Sequence, residues 1–311
     1  MTTPIRLGTR RSALATAQSQ LVADALAAVT GSPVQLVFLA TSGDSNPAPL
    51  TQIGGTGVFV GALRDALHTG EVDVAVHSLK DLPTTPAPGL HLAAIPGRED
   101  PRDALVARDA LTLASLPLGA RVGTGSPRRA AQLASARPDL QIVAVRGNVD
   151  TRLRFVSDGS LDAVVLALAG LRRLGRDDVA TEVIEPDVML PAPGQGALAV
   201  ETTDSVDPAL MTALRRLDDP ATRAAVSAER AVLSALEAGC SAPVGALAVV
   251  DEPGFHTPEL TLQAFVGATD GHTQKRLSIT APLADAEAAG RQLAVRLLDA
   301  GAAAFLGEPA L

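Results

Sequence analysis

Apolar positions in this chain change their period from segment to segment, and the changes outline its elements. Val72-Asp73-Val74-Ala75-Val76 is a valine-rich run that fits a buried strand. It leads into His77, Ser78, Lys80 and Asp81, then Pro83, which cannot continue a ladder. Similar strand patterns occupy 5–9, 34–39, 91–95, 104–107, 121–123, 141–145 and 162–166. Helical periods fill 12–29, 58–68, 127–136 and 149–156. This alternation predicts α/β lobes around central, largely parallel sheets. A Pro- and charge-rich passage, 95–102, is a hinge candidate between two lobes, and a second break follows at 190–196. A strand at 197–201 and helices at 208–216 and 221–238 come next. From Cys240 the texture changes to strands at 244–250, 260–266 and 276–279 and a helix over 284–300, which reads as a small α+β domain.

Composition narrows the function classes. At 311 residues and 47% apolar content, the chain has material for two or three domains with real cores. It has no Trp or Tyr and six Phe, which disfavours nucleic-acid recognition by aromatic stacking. The net charge of −8 argues against a general polyanion binder. Yet Lys80 and Lys275 are the only lysines among 26 basic residues. Arginine holds planar anions bidentately, so an acidic chain with placed arginines suggests a small anionic ligand. One cysteine excludes an internal disulfide framework. No apolar run is long enough to span a membrane, and a first strand at 5–9 leaves no room for a removable leader. A cytoplasmic protein is the expectation.

Four turns have the form of anion-binding helix starts. Ser12 is an N-cap candidate preceded by Arg10 and Arg11. After Gly123 and Thr124, Ser126 caps, Pro127 fits the first helical position, and Arg128 and Arg129 fall in the first turn. Arginine is electrostatically misplaced at a helix N-terminus, which is already partly positive, and a bound carboxylate or phosphate would resolve the conflict. In the third turn, Arg146-Gly147-Asn148, Asn148 is the cap, and Arg152 lies one turn on, able to face the same mouth as Arg146. The fourth, Gly54-Gly55-Thr56-Gly57-Val58-Phe59, is a weak signal alone, as is Gly194-Gln195-Gly196, which reads as a hinge. The first two turns echo each other, as a distant duplication or as two solutions to one anion-binding problem.

Cys240 follows Gly239, read as the C-cap of the preceding helix, and so opens the last domain on a turn. It has no metal-ligand spacing around it, and the five His make no cluster. The residues alone leave open a nucleophile, an inert thiol or an attachment point for a prosthetic group. His77 reads as strand-end structure; Asp81, beside Lys80, is the better acid/base candidate.

Together these segments resemble the porphobilinogen deaminase (hydroxymethylbilane synthase) family. The resemblance lies in Gly8-Thr9-Arg10 with Ser12, Gly57-Val58-Phe59, His77 to Asp81, Arg98 to Asp103, Gly123 to Arg129, Arg146-Gly147-Asn148 with Arg152, Leu190-Pro191-Ala192 with Gly194-Gln195-Gly196, Glu229-Arg230, and Gly239-Cys240. It runs in order from about residue 5 to 245, with only general texture beyond. It implies two lobes like the halves of a type II periplasmic binding protein with the active cleft between them, and a small C-terminal α+β domain. The implied division is 1–97 with 197–217, then 98–196, then 218–311.

The resemblance also implies the reaction: head-to-tail condensation of four porphobilinogen molecules into linear hydroxymethylbilane, with release of ammonia, in tetrapyrrole and haem biosynthesis. It implies a dipyrromethane cofactor held by a thioether to Cys240, and no metal. Each pyrrole carries an acetate and a propionate, so cofactor and product together bring about twelve carboxylates, which demand arginine clamps. The cofactor set implied is Cys240, Ser78, Lys80, Asp81, Thr124, Ser126, Arg128, Arg129, Arg146 and Gly147. Arg10, Ser12, Phe59, Arg146, Arg152 and Gln195 are implied for substrate and growing chain. Asp81 is the implied catalytic group, hydrogen-bonding pyrrole N–H groups, assisting loss of ammonia and stabilising the azafulvene-like cation. The implied partners are porphobilinogen and the growing polypyrrole chain, with no nucleic acid and no membrane, and the implied state is a monomer. Thr56 departs from the family's common lysine, Ala13 from a proline and Pro127 from a leucine, which touches substrate contacts and not the reaction. The competing class is a non-catalytic two-lobed small-anion-binding protein, which explains lobes and arginines but not the third domain or the Gly-Cys turn.

Overall fold

The structure is a computed structural model that describes residues 3–40, 60–239, 242–251 and 258–306. The fourth turn, with Thr56 and Phe59, and Cys240 lie outside the described residues. The chain divides into two compact units, Met1–Glu99 with Ala197–Arg223 and Asp100–Gly196 with Ala224–Leu311.

The first unit contains β1 (Ile5–Arg10), α1 (Ala13–Thr30), β2 (Val34–Leu39), α2 (Gly61–His68), β3 (Val74–Ser78) and β4 (Leu90–Ala94). β10 (Leu198–Thr203) and α6 (Pro208–Arg215) return to it after the second lobe. Its sheet runs β2-β1-β3-β10-β4. Both faces are covered, which is why β3 reads as a continuous apolar run: Val74 and Val76 pack with Leu26 of α1, while Ala75 packs with Leu63 and Leu67 of α2. The strand itself starts at Val74, two residues later than the valine run, because Val72 caps the α2 cluster and Asp73 accepts from the backbone and side chain of Arg6.

Glu201 of β10 is buried and sits 3.1 Å from His77 Nε2, while Arg64 donates to both its oxygens at 3.1 and 2.8 Å. His77 is thus structural, as its strand-end position suggested. Burial alone would raise the Glu201 carboxyl, but hydrogen bonds from His77 and Arg64 outweigh it and hold it at about 2. Such a group stabilises the fold fully above the unfolded carboxyl range, and loses that contribution as pH falls through about 2. We expect Glu201→Gln to cost about 3 kcal/mol at neutral pH. In urea unfolding the gap from the parent should shrink between pH 5 and pH 2. Parallel profiles across that range would contradict the linkage.

The second unit contains β5 (Asp103–Ala107), β6 (Arg121–Thr124), α3 (Pro127–Ala136), β7 (Gln141–Ala144), α4 (Val149–Ser157), β8 (Ala163–Ala167), α5 (Leu168–Arg173) and β9 (Glu182–Ile184). Its sheet, β7-β6-β8-β5-β9, repeats the order and directions of the first. In both, three neighbouring strands are parallel and the fourth, β10 or β5, runs antiparallel to both its neighbours. The expectation of largely parallel sheets holds, with four of the five strands of each sheet running the same way and one antiparallel strand between two of them. The antiparallel strand of each enters by a crossover and not through a β–α–β step. The echo between the first two turns also acquires a basis, since both leave topologically equivalent strands, β1 and β6.

The C-terminal part of this unit is α+β. Its antiparallel sheet is β11 (Val244–Val250), β12 (Glu259–Gly267) and β13 (Gln274–Pro282). α7 (Pro220–Ala235) and α8 (Ala286–Asp299) pack on it through Val232, Leu293 and Leu297 against Leu260 and Leu262. Gly239 is not the helix cap. α7 ends at Ala235, and Glu237 takes the left-handed position with φ 51°. Ala238 N–H donates to Leu233 and Glu237 N–H to Ser234, the pair of bonds that closes a Schellman turn. The chain therefore leaves the helix before the Gly-Cys sequence.

Candidate active site

In the second unit, β6 and β7 are parallel neighbours with Thr124 opposite Ala144, so the turns after them open side by side at the carboxyl edge of the sheet. Gly125 permits the close approach: a Cβ there would stand 2.5 Å from the Val145 carbonyl oxygen. Ser126 Oγ accepts from Arg129 N–H at 3.5 Å, Pro127 opens α3, and Thr124 Oγ1 accepts from Ser126 N–H at 3.2 Å. Asn148 Oδ1 accepts from Thr151 N–H at 2.9 Å and starts α4. Gly147 has φ 105°, and Thr151 would crowd any side chain there. Arg152 folds back so that its Nε donates to the Gly147 carbonyl at 3.0 Å.

Arg128 and Arg129 are only 3% and 5% exposed. Between them lies Asp103, fully buried at the start of β5. Its Oδ2 is 2.8 Å from Arg128 Nη1; its Oδ1 accepts from Arg129 Nε and Nη2 at 3.0 and 2.7 Å. Part of the charge conflict at this helix start is therefore answered by the chain itself, a role sequence reasoning did not give Asp103 although it quoted the Arg98–Asp103 segment. Arg129 Nη1 also donates to the Val165 carbonyl, and Arg128 Nη1 to that of Leu190. Arg128 Nε is buried and has no hydrogen-bond partner. Arg152 is pushed down to about 10, by burial first and then by repulsion from Arg129 and Arg146. Arg129, Arg146 and Arg152 thus form one cationic surface beside the orphaned donor of Arg128, an arrangement suited to carboxylates.

Gln195 was expected at the substrate. It is 1% exposed, and its amide nitrogen donates to the Pro101 carbonyl at 2.6 Å and to Asp103 Oδ1 at 2.9 Å. It therefore supports Asp103 from the segment that leaves this unit. Gly194 and Gly196 take φ 75° and 88°, but the segment is buried and tied, not a loose hinge. Gly194 N–H donates to Glu229 Oε2, whose other oxygen accepts from Ala248 N–H.

In the first unit, β1 and β3 are parallel neighbours, so Arg10 and the Ser78–Asp81 segment emerge at the same carboxyl edge. Ser12 Oγ accepts from Ala15 N–H at 3.3 Å and caps α1. Ser78 Oγ donates to Gln18 at 3.1 Å. Leu79 is fully buried and its N–H donates to the Ala197 carbonyl, which fixes the short 3-10 turn Leu79–Asp81. Lys80 is half-buried and Asp81 is exposed.

The model of the porphobilinogen deaminase dipyrromethane cofactor-binding domain matches residues 5–211, and that of the porphobilinogen deaminase C-terminal domain matches residues 223–299. The chain belongs to the porphobilinogen deaminase family. Porphobilinogen deaminase 1 of Streptomyces coelicolor is 59% identical over 98% of both chains. The porphobilinogen deaminase of Thermobifida fusca is 55% identical over 99% of this chain and 98% of its own. Among solved structures, a periplasmic substrate-binding protein of an ABC transporter from Coxiella burnetii is similar at 15% identity and a TM-score of 0.44, covering 73% of this chain and 96% of that one.

Among the described residues, no group of three or more His, Cys, Asp and Glu is placed to hold a metal, and no helix is long and apolar enough to cross a membrane. A separate cavity of about 560 Å³ runs along α4, lined by Asp150, Leu153, Arg154, Arg108 and Arg176. Two of its arginines are paired, Arg108 with Asp162 and Arg176 with Asp150.

Proposed function

We propose that this chain condenses four porphobilinogen molecules head to tail into linear hydroxymethylbilane with release of ammonia, using a dipyrromethane cofactor bound by thioether to Cys240. The observation that carries the reading is the gathering of Arg128, Arg129, Arg146 and Arg152 at one sheet edge of a chain whose net charge is −8. A ligand rich in carboxylates is what such a surface selects. The residues fit the cofactor: the buried, unpartnered Nε of Arg128 and the mutually repelling Arg129, Arg146 and Arg152 are matched to acetate and propionate groups. When bound, the cofactor supplies the terminal pyrrole to which the first unit joins.

Arg128 and Arg129, with Ser126, Thr124, Gly147 and Arg146, hold its acid groups, and Lys80, Ser78 and Asp81 are assigned to it as well. Arg10, Ser12, Arg146 and Arg152 orient the acid groups of incoming substrate and growing chain, and Phe59 is assigned to the same substrate; Gln195 acts at one remove, through Asp103. Asp81 accepts from pyrrole N–H groups. As ammonia leaves, its carboxylate stabilises the cation that develops on the substrate. The turn Leu79–Asp81, anchored by buried Leu79, keeps this carboxylate at the strand end without demanding burial of its charge. The three sheets, each with its own core, support three domains over 1–97 with 197–217, 98–196 and 218–311. We read the enzyme as a cytoplasmic monomer.

The intact mass of the purified protein, measured beside Cys240→Ser, tests the reading. The parent is expected to carry an excess of one dipyrromethane, directly or after incubation with porphobilinogen, and the variant none. A parent that stays at its bare mass after incubation and produces no hydroxymethylbilane contradicts it.

A further inference from the structure

Arg128 is held from behind by Gln132, whose amide nitrogen also donates to the Arg128 carbonyl at 3.4 Å. Gln132 lies one turn further along α3 and is 2% exposed. Its amide clasps the backbone of Leu190 reciprocally: Nε2 donates to the Leu190 carbonyl at 3.0 Å, and Oε1 accepts from Leu190 N–H at 2.8 Å. The same carbonyl accepts from Arg128 Nη1 at 2.5 Å. One backbone oxygen therefore carries two donors from successive turns of one helix.

Leu190 is fixed from its other side by the C-terminal sheet. Ala246 N–H of β11 donates to the Pro191 carbonyl at 3.0 Å, and a Cβ on Gly245 would stand 3.0 Å from the Leu190 carbonyl oxygen. The Leu190 side chain packs with Ala131, Leu247 and Phe265. At the far end of α3, a Cβ on Gly271 would fall 2.5 Å from backbone atoms of Ala134 and Ser135. The helix that bears Arg128 is thus seated on the C-terminal sheet along its length.

We propose that Gln132 is a positioning residue for Arg128. With Nη1 tied to a carbonyl that Gln132 and β11 hold still, the guanidinium has one orientation, in which its buried Nε lacks a protein partner and is presented to a ligand. Asp103 alone does not fix that orientation, because it meets Arg128 through the same Nη1 and leaves rotation about it open. Preorganised donors of this kind gain their value by paying no reorganisation when the anion arrives.

The inference rests on the reading of Arg128 as a cofactor clamp, and the experiment separates the two. Gln132→Met keeps the volume and removes both bonds to Leu190; Gln132→Glu keeps acceptance from Leu190 N–H; Arg128→Met removes the clamp. Each variant is titrated with porphobilinogen, and loaded chains are counted by intact mass, with kcat measured per loaded chain. Gln132→Met is expected to need at least about tenfold more porphobilinogen for half-loading, with kcat per loaded chain changed less than about threefold. Gln132→Glu should lie between it and the parent. Circular dichroism of the purified variants confirms folding before titration; should Gln132→Met fail that check, Gln132→Glu carries the measurement, and parental loading by it overturns the proposal. Parental loading by Gln132→Met likewise overturns the positioning role while Arg128→Met still loads poorly. Parental loading by Arg128→Met overturns the reading of Arg128 itself.

Discussion

Replacing Asp81 by alanine is expected to lower turnover about 10³-fold or more while leaving the fold and the covalently loaded mass in place. The two halves of the expectation rest on different features. Asp81 is exposed, on a short turn whose position is fixed by the neighbouring Leu79 side chain and its bond to Ala197. Its truncation should change stability by no more than about 0.5 kcal/mol, as at other exposed positions. The chemical role proposed for it, by contrast, has no replacement. The neighbouring groups proposed to bind cofactor and substrate, Lys80 and Arg10, are cations, and a cation cannot accept a pyrrole N–H or stabilise positive charge left by departing ammonia. Asp81→Asn should retain part of the acceptance and little of the charge stabilisation, and so fall between alanine and the parent. Rapid-quench measurement of ammonia release on preloaded enzyme reads the step directly. Parental turnover in Asp81→Ala would remove it from the chemistry.

The contrast between Asp81 and Asp103 also explains what could be read from the sequence. Local signals were reliable where local physics decides. Ser12, Ser126 and Asn148 were identified as caps from their place before an apolar period, and each accepts the backbone hydrogen bond expected of it. Short apolar runs rich in Val, Leu and Phe marked strands, so 34–39 and 244–250 coincide with β2 and β11. The pattern carried no information about direction for β5 and β10, since they pair with strands reached through crossovers, and so the one antiparallel strand in each largely parallel sheet was not singled out. The end of α7 was sought at a glycine, whereas Glu237 adopts the left-handed turn where the chain packs Ala238 on the core beside Leu233. Arg128 and Arg129 were found because arginine is out of place at a helix start. Asp103, Gln132 and Gln195 were not assigned their roles: a buried polar residue is legible only through partners that the fold brings from distant segments.

Asp103→Asn is expected to cost about 3–5 kcal/mol, the range for removing one partner of a buried ion pair. The carboxylate is fully buried, and burial alone would push its pKa up. Arg128 and Arg129 prevail and hold it well below the usual carboxylate range, so it stays charged at any pH at which the protein is handled. Asparagine keeps an oxygen for Arg129 and Gln195 but withdraws the charge, and its amide N–H₂ turns a donor towards Arg128, a donor itself. Two guanidiniums at 3% and 5% exposure would then face each other with no counter-charge between them. Arg128 shows the strain already, since burial and its like-charged neighbour lower its pKa in spite of Asp103. The cost should therefore shrink when one arginine is removed as well: in a double-mutant cycle with Arg129→Met, the pair should lose less than the sum of the single losses, by at least about 1 kcal/mol. Carboxylate-bearing ligands should also recover more stability in Asp103→Asn than in the parent, because they supply the missing charge. Urea unfolding with and without porphobilinogen measures both effects. A loss under about 1 kcal/mol, or strictly additive singles, would mean that the two arginines are balanced by solvent and not by Asp103.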